Sequence, residues 1–239
     1  MFDKSIKETI YNRDIGTCDY TSKLAPIKEM KKLILASILM INCYVFSQGS
    51  KYPVGMYLTY NDIIEKKSDT SYQIEVIKRT KGKIKFDGGN DYEIKSINKS
   101  INKNYFRKMV WAYSDGTDLY LNCFKYKLQD WYTKVLSDNE YYVFSAAIPL
   151  FPKKYGIKIS EIPNMFGGIG GGLRGMKLAL VRFPYIMNKS NQELTLVTER
   201  NIVEVIGNNK SLVEKYELES EKNNLEIIIK YLIEWNERE

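Results

Sequence analysis

Apolar residues recur with two different periods along this chain. Leu225, Ile228, Ile229, Leu232 and Trp235 fall three or four residues apart, forming one apolar face of an amphipathic helix. Asn223 or Asn224 stands where its N-cap is needed. A second helix is predicted just before it, over 211–221. Upstream the period drops to two. Tyr72, Ile74, Val76 and Ile77 alternate with charges; Ile84-Lys85-Phe86 and Tyr92-Glu93-Ile94-Lys95-Ser96-Ile97 do the same. Met109-Val110-Trp111-Ala112-Tyr113 and Leu119-Tyr120-Leu121-Asn122-Cys123 flank Ser114-Asp115-Gly116-Thr117-Asp118, a strong hairpin signal. A further hairpin pairs 131–136 with 141–144 across a turn Ser137-Asp138-Asn139-Glu140. Strands are also expected at 177–183, 194–198 and 202–206. Thr59, followed three residues later by Asp62, predicts a capped helical turn or two before Lys67. The pattern predicts an α+β protein: an antiparallel β-rich body, a short N-terminal helix and two C-terminal helices.

The region 30–47 follows neither period. Met30-Lys31-Lys32 precedes the apolar run 33–41, and a small residue, Ser47, follows. This is the order of a secretory signal: basic start, short apolar stretch, cleavage site. The run is short of the ~20 residues of a membrane-spanning helix. The reading is therefore an upstream extension over 1–29 with translation starting at Met30, a cleaved signal over 30–47, and one domain over 50–239. No stable transmembrane helix is expected after cleavage. Ranked below this are a buried core helix, a retained short anchor, and a lipoprotein signal acylated at Cys43, for which Asn42 is a poor preceding residue.

This reading changes what the composition means. The 239 residues carry 36 Lys+Arg, 29 Asp+Glu, three Cys and no His, with formal net charge +7. Seven basic and five acidic residues lie in 1–47, so the remaining 192 residues have a net charge of +5. Cys18 and Cys43 go with the leader, and Cys123 is left without a disulfide partner. The lack of His excludes Ser-His-Asp and Cys-His nucleophile systems, a His base and a His-ligated metal. Basic residues alternate with acidic ones, so no nucleic-acid surface is expected.

The remaining candidate chemistry is sparse. Gly170-Gly171-Gly172-Leu173-Arg174-Gly175 spells G-x-G-x-x-G, but no strand precedes it and a strand-like run follows it, so no cofactor is expected. Interleaved apolar residues make Phe166, Gly167, Gly168, Ile169, Gly170, Gly171, Gly172, Leu173 and Arg174 a candidate interaction loop, against the plainer reading of a tight turn where only Gly fits. The 19 Tyr and nine Phe include clusters at Tyr57/Tyr60, Trp131/Tyr132 and Tyr141/Tyr142/Phe144. They could stack on sugars or peptides, but filling a β core is the commoner use. Asp115 with Asp118 and Asp138 with Glu140 are the nearest carboxylate pairs for acid–base work, yet both sit in expected turns, where Asp serves the backbone. Asp87, Asn90 and Asp91 could offer oxygens to calcium, but not at EF-hand spacing.

Three stretches together resemble an uncharacterised family of exported proteins from gram-negative bacteria. They are Gly55-Met56-Tyr57-Leu58-Thr59-Tyr60-Asn61-Asp62, the aromatic and Asp-Gly hairpin Trp111 to Tyr120, and Tyr231-Leu232-Ile233-Glu234-Trp235-Asn236. The resemblance implies export and a β-rich body with C-terminal helices, and carries no activity or site residues. The resulting expectation is an exported, periplasmic or extracellular, non-enzymatic binding protein whose partner is an envelope protein, glycan or peptide. An outer-membrane-associated β protein and a carboxylate-based hydrolase are the alternatives.

Overall fold

The computed structural model describes residues 51–98, 101–155 and 178–238. They form nine antiparallel strands and six helices. In chain order these are β1 (Gly55–Tyr57), α1 (Tyr60–Glu65), β2 (Ile74–Lys78), α2 (Lys81–Asp87), β3 (Tyr92–Ser96), α3 (Lys103–Lys108), β4 (Ala112–Ser114), β5 (Leu119–Asn122), β6 (Tyr132–Asp138), β7 (Tyr141–Ala146), β8 (Phe183–Asn188), β9 (Leu194–Leu196), α4 (Ile202–Val205), α5 (Lys210–Glu217) and α6 (Leu225–Arg238). The strand order is β1-β4-β5-β6-β7-β8-β9, with β2 pairing β3 and β3 joining β6 at Tyr92↔Tyr132. The α+β architecture with a β-rich body and C-terminal helices is thus present.

Strand β6 carries the sheet. Its first residues pair with β5 (Asn122↔Tyr132, Leu121↔Thr133) and its last with β7 (Ser137↔Val143, Asp138↔Tyr142). Alternation puts successive residues on opposite faces. Met56, Tyr113, Tyr120 and Tyr132 meet Ile94 and Phe106 in one core. Tyr57, Ala112, Leu121 and Cys123 belong to a larger one, which includes β7, β8 and α6. Helix α6 packs on β6, β7 and β8 through Ile228, Tyr231, Leu232 and Trp235. Its N-cap is Asn224, whose side chain accepts from the Glu226 N–H. The capping box before α1 is complete: Thr59 Oγ1 accepts the Asp62 N–H, and Asp62 accepts the Thr59 N–H.

Four expected features are corrected. The run Ile84-Lys85-Phe86 is not a strand but the body of α2. The Thr80 side chain caps that helix at Lys83, and Gly88, at φ 65°, ends it. Residues 202–206 are not a strand either. Their β-branched composition misleads, because the Asn201 side chain ties back to Thr198 and Leu196 and turns the chain into α4. The strand expected over 177–183 instead begins at Phe183, because Arg182 is anchored outside the sheet. It contains Pro184, whose carbonyl accepts the Val197 N–H, so the missing proline N–H falls just beyond the end of β9. Ser137 and Asp138 belong to β6, leaving Asn139 and Glu140 alone in the turn. Helix α3 had no sequence prediction; Asn102 caps it by accepting from the Tyr105 N–H.

The tyrosines are mostly core. The hydroxyls of Tyr57, Tyr60, Tyr216 and Tyr231 each donate to an oxygen: Pro53 O, Lys189 O, Lys222 O and Glu219 Oε1. Burial is the largest cause that pushes each up to about 12, from an ordinary value of 10.0. The unfolded chain releases these protons first, so their contribution is intact below pH ~10 and falls away as pH rises toward ~12. Alkaline titration should show tyrosinate absorbance appearing together with loss of circular dichroism. Tyrosinate forming at ordinary pH, with the fold intact, would contradict this packing.

Candidate functional site

Two clefts of several hundred Å³ open among the described residues. The first, of about 440 Å³, lies between the β4–β5 and β6–β7 turns and is lined by Lys51, Tyr52, Asp118, Leu136, Asp138 and Glu237, among others. The second, of about 330 Å³, lies between β8–β9 and helices α4 and α6.

A bulge builds the first cleft. Val135 and Asp138 stand opposite Phe144 and Tyr142, which are two apart on β7 and share a face. Residues three apart on β6 share that face because Leu136 is an extra residue in the strand. Asp138 therefore points inward, its side chain only 9% exposed. Lys51 Nζ lies 3.1 Å from Oδ2, and Lys189 Nζ contacts Oδ1. Around them Tyr52 and Tyr142 share a hydroxyl–hydroxyl hydrogen bond of 3.2 Å, and Lys189 Nζ sits 4.7 Å from the centre of the Tyr142 ring. Burial pushes the Lys189 ammonium below its ordinary range, opposed by Asp138. Burial, reinforced by Tyr142 and Asp138, pushes the Tyr52 hydroxyl up. Asp118, across the cleft, pairs with Lys134 at 2.7 Å. Each carboxylate is thus set against a lysine rather than against the other, which is a poor arrangement for a two-carboxylate hydrolase.

Of the expected carboxylate pairs, Asp115 does serve its turn: its Oδ1 accepts the N–H groups of Thr117 and Asp118. Asp138 does not. Asn90 is fully buried, donating to the Leu128 and Asp130 carbonyls and accepting from the Ala147 N–H. Asp91 is held by Arg182. Among the described residues no group of three or more His, Cys, Asp or Glu could hold a metal. Cys123 is buried and unpaired, its thiol pushed up by burial.

The second cleft was not anticipated. Its wall is the Tyr141 ring, 4.9 Å from that of Trp235. Asn236 fixes this pair in place. Its Oδ1 accepts the Tyr141 N–H, and its Nδ2 donates to Tyr141 O and Ser137 Oγ. Trp235 Nε1 donates to Asn208. Glu193, Thr195 and Glu204 line the remainder.

A family model described as a family of unknown function, DUF6563, matches residues 55–239. The chain belongs to that family. The matched span covers both hairpins, all six helices and the residues that form the second cleft. No curated protein and no solved structure matches this DUF6563 chain. The candidate loop from Phe166 to Arg174, the glycine motif ending at Gly175 and the leader-like segment 30–47 lie outside the described residues. Among the described residues no helix is long and apolar enough to cross a membrane.

Proposed function

We propose that this protein is exported and acts in the cell envelope by binding a partner rather than by catalysis. The observation that carries the binding half is the contrast between the clefts. In the first, Asp118 and Asp138 are each paired with lysine. The second is an open groove with an aromatic wall and, among the described residues, two carboxylates that pair with no Lys or Arg. An outer-membrane barrel fits less well. Its strands need ~9–11 residues, whereas the longest described strand has seven and the sheet carries α6 across it. The export half rests on the order of residues in 30–47.

Expression in a gram-negative host with fractionation tests both halves. The mature chain should appear outside the cytoplasm with an N-terminus near Gln48. A chain that stays cytoplasmic, or a mature protein that retains residues 1–29, overturns the export reading. Envelope extract passed over the immobilised mature chain should yield a partner that Tyr141→Ala weakens.

A further inference from the structure

The geometry points to the second cleft as a docking site for the basic side chain of an extended peptide segment. This deepens the binding reading above and rests on it. Among the described residues the cleft is lined by two carboxylates, Glu193 and Glu204, and by no Lys or Arg. That lining stands out in a chain of net charge +7. Among the described residues the Glu204 carboxylate has no hydrogen-bond or ion-pair partner, and the Glu193 carboxylate accepts only from the Asn191 amide. Asp91, Asp118, Asp130, Asp138 and Glu234, by contrast, each face a Lys or Arg. Among the described residues no Lys or Arg pairs with Glu193 or Glu204, so a basic group brought from outside them can complete the second cleft.

The Tyr141 ring, backed by Trp235, adds an aromatic face of the kind that attracts an ammonium or guanidinium. Carboxylates beside an aromatic wall fit an alkylammonium or guanidinium group by charge complementarity. The peptide source follows from β9. It is the terminal strand of the sheet, pairs only with β8 among the described residues, and brings Thr195 into the cleft. An extended segment lying along that edge can direct one side chain between Glu193 and Glu204.

The test is calorimetric titration of the full chain with a tri-lysine peptide blocked at both ends. The net positive charge of the protein works against non-specific attraction of this probe. Saturable binding is expected, weakened at least tenfold in a Glu193→Gln/Glu204→Gln double variant, and absent for a blocked tri-glutamate peptide. The Glu204 side chain is exposed and its carboxylate has no partner among the described residues, so Glu204→Gln alone keeps the fold and should weaken binding measurably. No saturable binding, or unchanged affinity in the double variant, overturns the inference. Putrescine binding as tightly as the peptide overturns the peptide source. A chain that ignores tri-lysine but is exported and captures an envelope partner through Tyr141 refutes this inference and leaves the proposed function standing.

Discussion

Asp138→Asn is expected to lower unfolding stability by about 3–5 kcal/mol, the usual cost of removing one partner from a buried ion pair. The measurement is a urea melt, with the midpoint falling and the slope unchanged. The loss is large because Lys189 stays behind, 21% exposed and packed over the Tyr142 ring, with its counter-charge gone. Lys51 is half in solvent and adjusts freely. The pH dependence has a definite sign. Burial already pushes the Lys189 ammonium down and Asp138 pulls it back up. Without the carboxylate, its folded value drops further below that of the unfolded chain, so the unfolded state binds more protons in between. The deficit of the variant should be largest below that window and shrink as pH rises through it. Asp138→Leu combined with Lys189→Met should recover most of the stability. A single variant as stable as the parent would mean that the pair is open to water and that the bulge at Leu136 does not bury it.

Asn236→Ala should cost about 3 kcal/mol. It deletes three hydrogen bonds and strands the N–H and C=O of Tyr141 near the end of the sheet. Asn236→Leu, which keeps the branching but loses the amide, should cost at least as much, because the polar partners of Tyr141 stay unmet. If both variants melt within about 1 kcal/mol of the parent, water has replaced the amide. The same change loosens Tyr141 from Trp235, so tryptophan emission should shift as stability falls.

The parts of the fold legible in the sequence were those where local chemistry and pattern agreed. The Thr59–Asp62 capping box, the Asp115-Gly116 hairpin and the Leu225–Trp235 stripe each contain their own instruction. Two of the failures came from period alone. Ile84-Lys85-Phe86 and Ile202-Val203-Glu204-Val205 alternate or branch like strands, yet the Thr80 cap and the bonds of the Asn201 side chain back to Thr198 and Leu196 start helices there. At the sites, what escaped was long-range. Nothing near Asp138 announces that Leu136 is an extra residue, so a turn-like Ser-Asp-Asn-Glu string hid a buried acid. The second cleft draws Tyr141, Glu193, Glu204 and Trp235 from four separate elements or their flanks, and no spacing relates them. The Trp235-Asn236 ending was visible as a motif, but its work, clamping a hairpin 95 residues earlier, appears only in three dimensions.

That clamp has a bearing on biogenesis. One face of β6, β7 and β8 is covered by α6, and the hairpin is pinned by Asn236, 95 residues after Tyr141. Residues 141 through 236 must all have left the ribosome before this core can close. Until then the apolar surfaces of Val143 and Ile186 have no cover from α6. Closure of this face is timed by the arrival of α6 rather than by the first strands to emerge.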